Sequence, residues 1–205
     1  MKKKLVIFDM DGTLINSSIT IANAINYVRE NLGLENLDRD FILSKVNDNS
    51  INPAQVFYHT PTFDKDQERW FSQYYSRNHA RELALYDGIE ELLKDLKQNS
   101  FKLAVATNAY RSSTIESLTH FKIWDLFDTI ACADDVKRPK PQPNMLFKIL
   151  DKLNISKEDT IFVGDGERDE EASKKADIDY IMVDWGFSDY SDAVRTIQNL
   201  RELLI

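Results

Sequence analysis

Near its start the sequence reads Leu5-Val6-Ile7-Phe8-Asp9-Met10-Asp11-Gly12-Thr13, an apolar run of four residues followed at once by two aspartates. A short apolar run without alternation is typical of a strand that is buried on both faces of a parallel sheet. In open α/β sheets, ligands bind beyond the carboxyl ends of the strands. Asp9 and Asp11 therefore mark a predicted site, where Gly12 permits a tight turn and Thr13 offers a hydroxyl.

Similar apolar runs recur along the chain and predict further strands at Leu103–Ala106, Thr129–Ala131, Ile161–Val163 and Ile181–Val183. Apolar residues at helical spacing lie between them and predict crossover helices around 89–96 and 146–153. Asp87 is the expected N-cap of the first of these helices. The predicted fold class is therefore α/β, a Rossmann-like parallel sheet with helices on both faces.

Residues 16–84 interrupt this alternation, because helix-like patterns follow one another there without a convincing strand. The sequence thus predicts a small helical domain inserted after the first strand. On this reading residues 1–15 and 85–205 form the α/β core, and the two connections between core and insertion permit hinge motion.

Composition limits the classes of partner. The 205 residues include 34 acidic and 26 basic side chains, so the formal net charge of -8 disfavours binding to nucleic acid or to an anionic membrane. The only cysteine, Cys132, excludes an internal disulfide and suits a reducing compartment. No apolar run approaches the roughly 18 residues needed to span a bilayer, so we expect a cytoplasmic protein without a membrane partner.

Three more polar motifs follow predicted strands: Thr107-Asn108, the proline-rich loop around Lys140, and Gly164-Asp165-Gly166-Glu167-Arg168-Asp169. Taken singly, each also fits an ordinary turn, a basic surface loop or an acidic helix start. If the sheet is parallel, all of them share one edge with the first two aspartates. Clustered carboxylates repel one another unless a cation neutralises them, and an all-oxygen site suits Mg²⁺ better than zinc.

The order of these motifs resembles the haloacid dehalogenase-like (HAD) superfamily, which carries Asp-x-Asp-Gly-Thr, Thr/Ser-Asn, Lys-Pro-x-Pro and Gly-Asp-x-x-x-Asp in the same sequence. The helical insertion resembles the small cap of the group that contains phosphoglycolate phosphatase and β-phosphoglucomutase. By this resemblance Asp9 is the nucleophile that attacks phosphorus, Asp11 is the acid/base, and Lys140 is the catalytic cation.

The resemblance also implies the ligands of a Mg²⁺ cofactor and of the substrate phosphate. The implied metal ligands are Asp9, the backbone carbonyl of Asp11, Asp165 and Asp169. The implied phosphate contacts are Thr107, Asn108 and Lys140. The expected substrate is a small phosphomonoester, similar to phosphoglycolate or a sugar phosphate.

Two alternatives stay open beside a phosphatase. One is a phosphomutase of the β-phosphoglucomutase type, although Ile21 stands where the mutases usually have a histidine. The other is a phosphate-binding or regulatory protein without useful turnover. A dehalogenase is disfavoured, because the haloacid dehalogenases lack an aspartate at the position of Asp11.

The polar stretch Ser44–Ser50 lies where relatives place a specificity loop between cap helices. Its Lys45, Asn47 and Asp48 are candidates for contacts with an anionic or hydroxylated substrate. An ordinary solvated loop is the alternative interpretation of this stretch.

Overall fold

A computed structural model describes residues 3–46, 48, 50–186 and 190–205. The chain divides into two compact units. One comprises the residues up to Asn16 together with Leu85–Ile205, and the other comprises Ser17–Ala84.

The first unit contains a five-stranded, fully parallel sheet with the order β5-β4-β1-β6-β7. Its strands are β1 (Leu5–Phe8), β4 (Lys102–Ala106), β5 (Thr129–Ala131), β6 (Thr160–Gly164) and β7 (Asp179–Met182). The predicted α/β class is confirmed. The last strand begins earlier than its apolar run suggested and ends at Met182. Val183 still donates its N–H to the Gly164 carbonyl at 2.9 Å and forms an isolated bridge with Val194.

Both faces of this sheet are buried. On one face the alternate residues of the central strands pack with apolar side chains of α7 (Asn144–Leu153) and α8 (Glu167–Ala176). The intervening residues, including Val6, Phe8 and Val105, are also fully buried, as the period of two along a strand requires for a two-sided sheet.

The remaining core helices are α5 (Ile89–Gln98), α6 (Arg111–His120) and α9 (Ile197–Leu204). The apolar face predicted for α5 is buried and packs near β4 and α9. The N-cap prediction for this helix is wrong. Gly88, with φ of +87°, occupies the cap position, and no side chain caps the helix. Asp87 is displaced from the cap because the chain enters the helix through this left-handed turn, which glycine adopts without penalty.

The second unit is the helical cap inserted after β1. It contains α1 (Ser18–Asn31), α2 (Arg39–Val46), α3 (Pro53–Tyr58) and α4 (Lys65–Glu82), and the short strands β2 (Ile15–Asn16) and β3 (Ala84–Leu85) flank it and pair. Its core is apolar and includes Ile25, Val28 and Phe57. In the described part of the chain every helix is either too short or too polar to cross a membrane.

Candidate active site

The first aspartate stands where β1 ends. The backbone N–H of Asp9 donates to the Val163 carbonyl at 2.8 Å, which continues the pairing with β6. After Met10 the chain turns sharply, and the Met10 carbonyl accepts the N–H groups of Leu14 and Ile15, each at 2.9 Å. Gly12 supplies the φ of +83° that this turn needs. The turn therefore follows a central, fully buried strand directly.

Strand register places two other motifs on either side of Asp9. Phe8 pairs with Val105 on β4 and with Val163 on β6. Continued by one residue, the register sets Asp9 level with Ala106 and Gly164. The polar residues that come next, Thr107 and Asp165, therefore flank the turn after β1 at one edge of the sheet, as expected for parallel strands.

Lys140 brings the third motif to the same place. Its Nζ lies 2.5 Å from Asp9 Oδ1 and 2.6 Å from Asp169 Oδ1, and all three side chains are buried. The ammonium also lies 5.6 Å from the centroid of the Phe162 ring. Burial alone would lower the pKa of Lys140, but Asp169 and Asp9 outweigh it and raise the pKa above its ordinary value. The lysine is thus a fixed cation between two carboxylates.

Asp165 completes a cluster of three acids. Carboxylate oxygens of Asp9, Asp165 and Asp169 all lie within 4.8 Å of one another. Burial, followed by repulsion from Asp9 and Asp169, raises the pKa of Asp165 well above its usual value. Burial also raises the pKa of Asp9 to about 7, although Lys140 opposes the shift. Two buried carboxylates and the partly buried Asp165 therefore lie around one lysine, which pairs with Asp9 and Asp169.

These residues fit a divalent cation. With every group ionised, three carboxylates and one ammonium leave two negative charges in a largely buried space, which is unfavourable without a further cation. The cluster offers oxygen atoms only, which is the ligand type of Mg²⁺. The structure thus brings together the side chains of Asp9, Asp165 and Asp169, three of the four predicted metal ligands. Asp11, the fourth, lies on the same turn as Asp9.

Two glycines make room for the acids, a role that the sequence patterns alone do not show. A Cβ at Gly12 would lie 2.5 Å from Asp165 Cγ, and a Cβ at Gly164 would lie 2.5 Å from Asp169 Oδ2. Carbon atoms in ordinary contact are about 3.5–4.0 Å apart. Neither position therefore accepts a side chain while these carboxylates stay in place.

The two residues of the motif after β4, Thr107 and Asn108, make different contacts. Thr107 is buried, its N–H donates to the Ala131 carbonyl at 3.1 Å, and its Oγ1 accepts the Ala109 N–H at 3.0 Å. The side chain of Asn108 bonds to the backbone of Lys140. The phosphate contacts predicted for both residues stay predictions.

A loop after β7 contacts the turn that follows β1. Trp185 Nε1 donates to the Thr13 carbonyl at 3.0 Å, and the Thr13 hydroxyl lies 3.5 Å from Asp165 Oδ1. Asp184 is buried, pairs with Arg195 at 2.8 Å and accepts the Gly186 N–H at 2.9 Å. In the sequence, only the position of this loop after a predicted strand indicates that it lies near the site.

The cap stretch predicted to select substrate is partly helical rather than a loop. Ser44, Lys45 and Val46 belong to α2, which ends at Val46. Lys45 Nζ lies 3.3 Å from Asp48 Oδ2, so these two candidates contact each other. Asn47 lies outside the described residues. A role for these three residues in specificity stays a prediction.

Comparison with known proteins agrees with this arrangement. Residues 6–183 match the family model described as haloacid dehalogenase-like hydrolase. The chain is 31% identical to pyrophosphatase PpaX of Halalkalibacterium halodurans, over 89% of this chain and 84% of the relative. It is 30% identical to a phosphoglycolate phosphatase of Colwellia psychrerythraea, over 91% of this chain and 87% of the relative.

Solved structures show the same architecture. The crystal structure of a predicted phosphatase from Clostridium acetobutylicum is 26% identical and superposes with a TM-score of 0.87, covering 100% of this chain and 99% of that one. The resemblance derived from the four motifs and the predicted enzyme class, a HAD-type phosphatase, are confirmed. The chain belongs to the haloacid dehalogenase-like hydrolase family, among its capped phosphatases.

Proposed function

We propose that the protein is a Mg²⁺-dependent phosphatase that hydrolyses small phosphomonoesters through a phosphoaspartate on Asp9. One observation carries the proposal. The Lys140 ammonium lies 2.5 Å from Asp9 Oδ1, inside a cluster of carboxylates that fits a divalent cation. An anionic carboxylate can attack an anionic phosphate only where positive charge is already fixed in place.

In the first half-reaction, a carboxylate oxygen of Asp9 attacks phosphorus while the bond from phosphorus to the ester oxygen breaks. Asp11 gives its proton to the departing oxygen, so the product is a neutral alcohol and the phosphoryl group remains on Asp9. Lys140 stabilises the negative charge that develops at the attacked phosphate, and Asp169 holds the lysine from its other side.

In the second half-reaction, Asp11 takes a proton from water as the water oxygen attacks phosphorus. The bond from phosphorus to Asp9 breaks, which releases inorganic phosphate and restores both carboxyl groups to their starting states. The bound Mg²⁺ would supply electrostatic stabilisation of the phosphate oxygens. Asp9, Asp165 and Asp169 are the side chains that would hold it.

A second candidate substrate is inorganic pyrophosphate, because a relative at 31% identity is named a pyrophosphatase. The same residues would serve, since the leaving group would then be phosphate instead of an alcohol. Substrate selection by the cap, with Lys45 and Asp48 as candidate contacts, is part of this proposal.

The test is a panel of phosphomonoesters and pyrophosphate, assayed for free phosphate with Mg²⁺. We expect turnover on at least one compound, and Asp9→Asn should reduce it by at least about a thousandfold because no nucleophile remains. Asp151→Asn, which neutralises an exposed carboxylate on α7, is the matched control and should keep full activity.

Three outcomes would contradict the proposal. Near-normal turnover by Asp9→Asn would exclude the phosphoaspartate. Absence of phosphate release across the panel by the wild-type protein would favour a phosphate-binding role, and transfer to a second hydroxyl of a sugar would favour a phosphomutase.

A further inference from the structure

The carboxamide of Asn108 pairs with both backbone groups of a single residue. Asn108 Oδ1 accepts the Lys140 N–H at 3.0 Å, and Asn108 Nδ2 donates to the Lys140 carbonyl at 2.9 Å. The two bonds join the end of β4 to a loop that lies 32 residues further along the chain. A side chain thus replaces the pairing that a neighbouring strand would provide.

The loop depends on this pairing because of its prolines. Pro139 and Pro141 have no N–H, so Lys140 carries the only backbone donor of the run Pro139–Pro141. That donor is the one that Asn108 accepts. Of the two neighbouring carbonyls, Pro139 accepts the Gln142 N–H at 2.9 Å and Pro141 accepts Lys175 Nζ at 3.2 Å.

The position of the Lys140 backbone decides where its ammonium lies. Nζ bonds to Asp9 and Asp169 at 2.5 and 2.6 Å, and the side chain between backbone and Nζ is buried. A shift of the backbone would therefore move the ammonium away from the nucleophile. Misplacement of a catalytic group by about 1 Å can cost about a hundredfold in rate.

We propose that Asn108 is a positioning residue that acts through Lys140 and not through the substrate. Both ends of its carboxamide already bond to the lysine backbone, which favours this role over the direct phosphate contact that the family resemblance implies. The inference rests on the proposed function for its effect on turnover, but the contact itself can be tested without turnover.

The first test is hydrogen exchange of the Lys140 amide, followed by mass spectrometry or NMR. Asn108→Ala should accelerate this exchange by about tenfold, because the acceptor is removed. Asn108→Asp keeps an acceptor oxygen and should retain most of the protection. Asn99→Ala removes another exposed carboxamide that bonds to a backbone carbonyl, that of Asp95, and should leave the Lys140 amide unchanged.

The second test is a double-mutant cycle on kcat/KM with Asn108→Ala and Lys140→Ala. Alone, Asn108→Ala should reduce kcat by about tenfold to a hundredfold while the protein stays folded. In the Lys140→Ala background it should have little further effect, because the group that it positions is gone.

The results separate this inference from the proposed function. Unchanged exchange of the Lys140 amide in Asn108→Ala would overturn the inference. Losses of kcat/KM that multiply in the double variant would also overturn it, since they indicate a direct phosphate contact. If the wild-type protein releases no phosphate, or if Lys140→Ala leaves none to measure, the exchange experiment alone decides. Absence of phosphate release by the wild-type protein counts against the proposed function, whereas inactivity of Lys140→Ala does not.

Discussion

Replacing Gly12 by alanine tests whether the carboxylate cluster needs the space that this glycine leaves. The added Cβ would lie 2.5 Å from Asp165 Cγ and closer still to Oδ2. The obstructing atoms are at the end of a side chain, which can rotate away. We therefore expect the protein to fold, with Asp165 displaced from the cluster.

The size of both effects follows from the structure. Moving Asp165 Cγ from 2.5 Å to an ordinary contact of about 3.5 Å requires a shift of roughly 1 Å. A displacement of this size can cost about a hundredfold in rate, so kcat/KM should fall by about that factor and more Mg²⁺ should be needed for half-maximal activity. Alanine at a φ of +83° should also reduce the free energy of unfolding by about 1–2 kcal/mol.

Gly33→Ala is the matched control for the backbone contribution. Gly33 has a φ of +71°, and a Cβ there would have no atom within 4 Å. Both variants should lose similar stability in thermal or urea unfolding, whereas only Gly12→Ala should lose activity and Mg²⁺ affinity. The reasoning is refuted if the two variants retain equal kcat/KM, or if Gly12→Ala loses activity without any change in its Mg²⁺ dependence.

Three further predictions concern the cap, the core and the metal. Lys45→Ala, which breaks the contact with Asp48, should change the ranking of substrates in the panel more than the rate on p-nitrophenyl phosphate; equal losses on all substrates would contradict a specificity role. Asp128→Asn should reduce the free energy of unfolding by about 1–2 kcal/mol near pH 7, because the carboxylate accepts Lys97, Lys102 and the Leu103 N–H at 2.8 to 2.9 Å. Burial opposes ionisation, but these partners outweigh it and lower the pKa of Asp128 below 3.8, so the difference from wild type should persist above about pH 4 and close as the pH falls through the lowered pKa in urea-unfolding curves. Chelation with EDTA should abolish phosphate release, and added Mg²⁺ should restore it; full activity in EDTA would exclude the metal.

Much of the core could be predicted from the sequence because its signals are local. A strand such as β1 is a four-residue apolar run between charged residues, and a helix such as α5 has its apolar residues at helical spacing. The ends of strands and helices are harder to predict from the sequence. The limits of β7 depend on its pairing with β6, and the cap of α5 depends on the backbone conformation at Gly88. Neither is encoded in the nearby residue types alone.

The location of the candidate site could be predicted from the sequence for a different reason. Asp9 and Asp165 each directly follow a strand, so the topology of a parallel sheet is enough to bring these two acids to one edge. Contacts that depend on the direction of a side chain could not be predicted from the sequence. Nothing near Asn108 in the sequence shows that its carboxamide meets Lys140, and nothing near Trp185 shows that its indole meets the Thr13 carbonyl.

The glycines of the two acidic motifs have a common explanation in the structure. Gly12 follows Asp11 in the first motif, yet the side chain that fills the space beside it is Asp165 of the fourth motif. Gly164 precedes Asp165, and the side chain beside it is Asp169, in the first turn of the following helix. Each glycine therefore makes room for an acid supplied further along the chain. Because three carboxylates must approach within 4.8 Å of one another, the backbone beside them has to lack side chains at these two points, so the pattern of aspartates requires the pattern of glycines.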